Sequence, residues 1–461
     1  MTAAPSGRLR GELGLADVVA QAASGVGPIY SAIVFVPLVT VGASGFGAGG
    51  AVPLCILIAA FLLMAVARVF AGFARQVRTP GSLYDYLKLS LGRRAGTVFG
   101  LLFYACAIAA FVNGTLTFGG LAATMADHLT GHVLPWWLGA LGGLALVALS
   151  VSRGITMAVH LQLAISVVSI GAVGLFSAWV LVQSPHLPAV AQAGLLPSAQ
   201  GHGLAGVMMG LSFAFFMYGG FEGAASLAEE CRNPTRAIPR AMILTIWVNA
   251  AFYLLTAFAA LAGFGADAGR LGGQEMPLLA LAADPRYGGP AIEGILMTMT
   301  LADVLAMITA GSIAIARGLL CLARDGVLPA AFARTSNGRG VPVMPNLALL
   351  GGTAALVAVI RIVTGPVPGQ ESYMGWFIWI GTFASLNLLI AWCATCIGGF
   401  VMGRRPGGGG EMRFCAAIGT VATLAVIGVT LGLQEGSERL VPLASVLLAL
   451  VGWWAMRPAR S

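Results

Sequence analysis

The sequence predicts an all-α protein that crosses a membrane twelve times, and three observations carry that prediction. Of 461 residues, 58% are hydrophobic and only 9% charged, against roughly 25% charged in an ordinary soluble domain, so most of the chain must face lipid or other helices. Apolar stretches of about 20 residues, the length that crosses a bilayer, succeed one another with short polar joints and leave no room for a large soluble domain. The basic residues are lopsided: with a cytoplasmic N-terminus, all but Arg270, Arg286, Arg361 and Arg439 of the 25 Lys and Arg fall on the cytoplasmic side. One miscounted span would scramble that split, so the positive-inside rule supports the number and the orientation together, with cytoplasmic tails at 1–12 and 458–461. The net charge of +8 is then a topology signal and not a nucleic-acid surface. The bilayer is the expected partner, the inner (plasma) membrane the expected location, and the number of copies in an assembly carries no sequence signal.

The expected spans are 13–41, 50–74, 96–125, 134–152, 155–183, 203–228, 239–264, 290–322, 345–364, 373–401, 412–433 and 440–457. The polar start with Arg8 and Arg10 runs into apolar sequence without a small-residue cleavage site, so the first span is expected to stay in the protein. That span holds Ser24, Gly25, Val26, Gly27 and Pro28 at mid-depth. Proline removes an N–H and clashes one turn back, so an unwound segment is expected there; the alternative is a simple kink with close helix packing.

Between spans 2 and 3, Thr79 to Tyr86 reads as an interfacial turn and short helix, with a gating role as the alternative. Asn113, the only amide in span 3, reads as a bond to a neighbouring helix before a cavity group. His160 and Gln162 read as interfacial. Span 6 breaks at Gly219 and Gly220 and carries Glu222 among apolar residues. An ionisable group at membrane depth costs at least ~2.5 kcal/mol, which makes Glu222 a functional candidate. Freed backbone groups are tolerated in a bilayer only where they line a cavity. Two interrupted spans in matching positions of two halves are the sequence pointer to a transporter site, and half-helix N-termini there would attract an anionic group.

After span 6, Glu229 and Glu230 read as a solvated face pairing locally with arginines, and Pro239 as the first turn of the next helix. Asp303 lies ten residues beyond Glu293 and fourteen before Arg317, about 15 and 21 Å along a helix, hence mid-membrane. It reads either as a paired structural acid or as a cavity group for a proton, a sodium ion or a substrate ammonium. Trp376 and Trp379 suit an aromatic belt, and Gly407 to Gly410 a linker. The seven cysteines are odd in number and imply no disulfide framework. Cys393 and Cys396 form a CxxC inside a span, but without a second pair or a histidine they read as packing residues and not a metal site.

Five motifs in order now resemble one family: Gly25-Val26-Gly27; Pro80-Gly81-Ser82-x-Tyr84; Arg153-Gly154; Gly220-Phe221-Glu222 with Glu229 to Pro234 and Ile238-Pro239; and Ala316-Arg317 with Ala323 to Pro329. The chain resembles the amino acid/polyamine/organocation permeases over roughly 13–400. The resemblance implies a leucine-transporter-like fold: spans 1–5 (13–183) and 6–10 (203–401) as inverted repeats with discontinuous spans 1 and 6, and two C-terminal spans (412–457). It implies a substrate carboxylate on Ser24, Gly25, Val26 and Gly27, and an ammonium at carbonyls of Phe216, Met217, Tyr218, Gly219 and Gly220. Phe216 matches an aromatic gate and Glu222 a protonation-sensing glutamate. Gly-Val-Gly-Pro-Ile here departs from the family's Gly-Ser-Gly-Ile and lacks its hydroxyl. Ser169 stands where some proton-coupled members have lysine, and Lys88 is the chain's only lysine. Coupling is left to Glu222 or Asp303, to sodium, or to exchange, and no cofactor beyond H+ or Na+ is expected.

The resulting expectation is a secondary transporter of amino acids or related amines, proton-coupled, with a polyamine permease or an exchanger as alternatives. An enzyme is disfavoured, since no metal spacing or Gly-x-Ser-x-Gly elbow lies in the membrane. A channel is disfavoured because no repeated charged or carbonyl-rich filter is present.

Overall fold

The computed structural model describes residues 13–42, 45–132, 134–197, 202–336, 341–365, 371–405, 409–432, 434 and 436–455. The two tails expected at 1–12 and 458–461, and the first part of the 407–410 linker, lie outside the described residues. Among those described there is no sheet, only isolated bridges between Leu13 and Cys231 and between Thr335 and Pro342. Ten helical segments are long and apolar enough to cross a membrane, counting interrupted ones as single segments.

The first of these is two helices, α1 (Leu15–Val26) and α2 (Pro28–Val41). The interruption is tighter than the unwound segment the sequence suggests. Gly27 alone takes φ 60°, ending α1 and starting α2, a left-handed conformation that glycine adopts without steric cost. Pro28 follows at the first helical position, where its missing N–H is no loss.

α3 (Val52–Ala74), the short α4 (Leu83–Leu91) and α5 (Arg93–Thr130) come next. α4 is not an isolated helix, since it packs on other helices. Tyr84 and Tyr86 are buried, and Tyr86 stacks on Phe73 at 5.2 Å, because the apolar face of α4 is covered by α5 and by a later helix and not by headgroups. α6 (Trp136–Ser152), at 17 residues, is apolar but shorter than the ten spanning segments, α7 (Ile155–Gln183) is long, and α8 (Leu187–Ala193) is a single short helix. Gln162 on α7 is buried, against its interfacial reading, while His160 is exposed and meets Asp17 at 3.2 Å. The two residues differ in sequence by about half a helical turn, which turns one toward the bundle and the other away.

α9 (Gly203–Phe216) ends in the second interruption, turn residues 217–220 followed by a 3₁₀ segment, Phe221–Leu227. α10 (Pro234–Gly263) starts five residues before Pro239, which is an interior residue, since Pro234 already serves as the first-turn proline. Two short helices, α11 (Ala268–Gly272) and α12 (Pro277–Ala283), lie in the loop before α13 (Pro290–Arg324). α14 (Val343–Thr364), α15 (Glu371–Gly403), α16 (Gly410–Gly432) and the 15-residue α17 (Val441–Ala455) complete the chain. α13 packs against α1, α2, α5 and α7, which makes it the wall against which both interruptions rest.

Candidate functional site

The two interruptions touch backbone to backbone. A Cβ on Gly220 (φ +116°) would collide with the Gly25 carbonyl, and one on Gly25 would come to 3.2 Å from the Gly220 carbonyl. Only residues without side chains allow this approach. On the next face of the first break, a Cβ on Gly27 would meet Met307 Sδ of α13 at 2.6 Å. The same Met307 reaches Gly114 of α5, so α1, α2, α5, α13 and the turn after α9 share one neighbourhood.

Asp303 is fully buried on α13. Its Oδ2 accepts hydrogen bonds from the N–H groups of Ile29 (3.1 Å) and Tyr30 (3.0 Å), the free donors of the first turn of α2. A carboxylate there meets both the unpaired N–H groups and the positive end of the helix dipole. The sequence suggests an anionic group at a half-helix N-terminus; the acceptor on these N–H groups is the protein's own Asp303 side chain. At the second break Glu222, also buried, accepts from Gly220 N at 3.2 Å through Oε2. Neither acid has a basic partner in any ion pair of the described residues.

The other candidate residues are placed as follows. Ser24 Oγ meets Ser166 Oγ of α7 at 2.9 Å; Ser166, one turn before Ser169, thus bonds to the first span close to its break, and Ser169 instead lies 3.8 Å from Met299 Sδ. Val26 and Gly25 belong to the last turn of α1. The Met217 carbonyl accepts from the Tyr253 hydroxyl at 2.8 Å, and the Tyr218 hydroxyl donates to the Ile56 carbonyl. Gly219 faces Leu388. Phe216 sits edge-on to Phe35 at 5.4 Å, and Phe35 in turn sits edge-on to Tyr30 at 6.0 Å. Asn113 Nδ2 donates to the Phe377 carbonyl of α15 at 3.0 Å, the neighbouring-helix bond its position suggests.

A cavity of about 30 Å³ lies beside Glu222, lined by Pro80, Ser82, Phe103, Tyr104 and Ser226 among others, which is room for a water molecule. Ser82, the cap of α4, has φ 48°, an uncommon conformation for a residue other than glycine. A larger hollow of about 560 Å³ lies between α7 and Pro285–Leu296. Its lining includes the exposed Leu175 and Trp179, and no residue of either break lines it, so it is set apart from this site.

At the arginine-rich end the acids are paired. Glu230 is buried and meets Arg317 through Nε (2.8 Å) and Nη2, and Glu229 meets Arg324 at 2.9 Å. The local, solvated pairing expected for Glu229 and Glu230 is therefore corrected: both partners come from α13, and Glu230 is 2% exposed. The cause is the chain start, since Leu13 N donates to Glu230 O and Arg232 N to Leu13 O, both at 3.0 Å, which covers the segment after the second break. Asp325 accepts from Lys88 and from the Tyr84 hydroxyl. Burial works against its charge, but the hydrogen bonds from Lys88 and Tyr84 and the charge of Lys88 outweigh it and hold the Asp325 carboxyl below its usual range. Partial burial likewise opposes the Lys88 charge, while Asp325 and Asp85 raise its pKa overall.

Comparisons with known proteins agree with this architecture. A family model described as Amino acid permease matches residues 13–452. An uncharacterised transporter of Mycobacterium bovis is 30% identical over 322 residues, 64% of each chain, so the chain spans just under two thirds of that relative's length. A methylthioribose transporter of Bacillus subtilis is 25% identical over 358 residues, 72% of each chain. Among solved structures, a manganese transporter of Eremococcus coleocola in complex with an aromatic bis-isothiourea substituted compound superposes with TM-score 0.61 at 14% identity, covering 99% of this chain and 98% of that one; this likeness concerns the fold alone. The chain belongs to the amino acid permease family, whose named relatives here are transporters and permeases and not enzymes.

Proposed function

With membership of that family as the premise, we propose that the protein is a secondary active transporter of amino acids or related amines, working by alternating access and driven by protons. The observation that carries the reading is the meeting of two broken helices at Gly25 and Gly220, each break capped by a buried acid without a basic partner. Irregular backbone at membrane depth has a physical reason to exist where it holds a solute.

In this reading 13–183 and 203–401 form two inverted repeats of five spans, the 17-residue α6 and the 15-residue α17 complete a count of twelve, and 412–457 is an appended pair. Both termini and the arginine-rich end face the cytoplasm of a plasma membrane. The solute lies between Ser24–Gly27 and Phe216–Gly220, with Asn113 at its edge. Glu222 is the proton carrier, and the small cavity at Pro80 and Ser82 is its route toward the arginine-rich end. The ion pairs of Glu229 and Glu230 close that end in the conformation described here and open when the solute is released.

The test is uptake by the purified protein in proteoliposomes under an imposed pH gradient. Accumulation should follow the gradient, and Glu222→Gln should uncouple the two while leaving exchange of the same solute. Uptake that ignores the gradient but follows a sodium gradient, or a trans solute, would assign the coupling elsewhere.

A further inference from the structure

We infer that the solute is a small amine without a carboxylate, because Asp303 already holds, from inside the protein, the place at the first break that a solute carboxylate would take. This rests on the carrier reading above and narrows it.

The donors at the break can be counted. Gly27 N bonds back to the carbonyls of Ala23 and Ser24, Pro28 has no N–H, Ile29 and Tyr30 donate to Asp303, and Ser31 N returns to the Gly27 carbonyl. No N–H of residues 27–31 is left for an incoming anion. At the second break the Gly220 N–H is taken by Glu222. Each break is thus supplied with its own acid.

The free oxygen of Asp303 points the same way. On α1, α2, α5 and α13, the buried side-chain atoms without a hydrogen-bond partner among the described residues are Gln21 Oε1, Asn113 Oδ1 and Asp303 Oδ1. All three are oxygens, and the amide nitrogens of Gln21 and Asn113 each donate to a carbonyl, of Ala310 and Phe377, whereas α7 and α10 also carry unpaired amide nitrogens, Gln162 Nε2 and Asn249 Nδ2. Their residues are 1%, 6% and 0% exposed. Unpaired buried acceptors ask for a donor, and an ammonium supplies three with no acceptor of its own.

Charge gives a third, independent count. Among the described residues the only buried basic side chain is Arg317, and Glu230 occupies it. A solute carboxylate would add a third acid to Glu222 and Asp303 with no cation to offset it, whereas an ammonium would compensate one of the two. A zwitterionic amino acid gains the second interaction and loses on the first, so its decarboxylated amine should be preferred.

The experiment uses the full-length protein and matched pairs that differ only by the carboxylate: leucine and isoamylamine, phenylalanine and phenethylamine, lysine and cadaverine, arginine and agmatine. Ligand-dependent thermal unfolding reads binding, and proteoliposome uptake reads transport. For at least one pair the amine should bind tenfold or more tightly than its parent. Asp303→Asn, which keeps an oxygen for the Ile29 and Tyr30 N–H groups, should reduce that preference tenfold while unfolding at nearly the same temperature. Asp303→Ala, if it folds, should go further and admit the parent amino acid. An amino acid that binds better than its amine in the unaltered protein overturns the inference, as does an amine preference that Asp303→Asn leaves intact. Saturable uptake of a neutral solute such as methylthioribose, with no response to any pair, also overturns it but leaves the carrier reading standing. Absence of saturable uptake for every probe, the neutral one included, removes the carrier reading and this inference with it.

Discussion

At the arginine-rich end, Glu229, Glu230 and Asp325 each meet a basic side chain from another segment, whereas at the breaks Glu222 and Asp303 meet only backbone N–H groups. The residue types are the same and Glu230 is as buried as Glu222, so burial does not separate the two regions. The partner does. A paired acid has its charge offset within the protein and holds segments together; an acid with N–H partners alone has no such offset, and Asp303 keeps Oδ1 without a partner. In the proposed reading, one end of this molecule works as a latch and the region of the two breaks as a receptor.

The largest effect should come from breaking the latch. Arg317→Ala leaves Glu230 buried without its partner, and removing one member of a buried pair costs about 3–5 kcal/mol. The variant should unfold at a much lower temperature in detergent, and replacing Arg317 and Glu230 together by Met and Leu should recover most of the loss. If Arg317→Ala unfolds like the unaltered protein, the pair is not a latch.

Next comes the contact between the breaks. Gly220→Ala places a Cβ on the Gly25 carbonyl at a φ that side chains rarely adopt, costing of order 1–3 kcal/mol in strain alone. Gly25→Ala, with the same added methyl at 3.2 Å and in ordinary helical geometry, should be the milder of the two in thermal unfolding. Equal tolerance of both would mean that the breaks do not press on each other.

In the receptor region the effect should fall on transport more than on folding. Asp303→Asn keeps the acceptor for Ile29 and Tyr30 and removes the charge, so about 1 kcal/mol of stability is at stake while uptake falls at least tenfold. Loss of folded protein instead would make Asp303 a structural acid like Glu230.

The smallest effect concerns pH. Asp325 has its folded pKa lowered, so its contribution is present above the unfolded value near ~4 and lost as pH falls through the lower folded one. Lys88 has its pKa raised, so its contribution is complete below ~10.5 and lost above the folded value. Their bond is therefore intact from about pH 5 to 9, and being about a third exposed on each side it is worth roughly 0.2–1 kcal/mol. Lys88→Met should shift the unfolding temperature slightly and leave the pH profile of uptake between 5 and 9 unchanged. A changed profile would place a titrating group in the latch and erase the distinction drawn here.

The sequence by itself determined the helical, membrane-spanning class and the places where spans 1 and 6 give way, and it singled out Glu222 and Asp303. Those properties are local: hydropathy, the absent N–H of proline and the freedom of glycine act over one or two turns. Who meets whom was decided by the tertiary structure. Asp303 reaches Ile29 across 274 positions and Arg317 reaches Glu230 across 87, Gln162 is buried where its neighbour His160 is exposed, and α4 is covered and not afloat. In a bilayer every apolar helix face is equally content with lipid or with another helix, so composition cannot choose among neighbours. Shape and the satisfaction of each buried polar group make that choice, and both exist only once the helices are assembled.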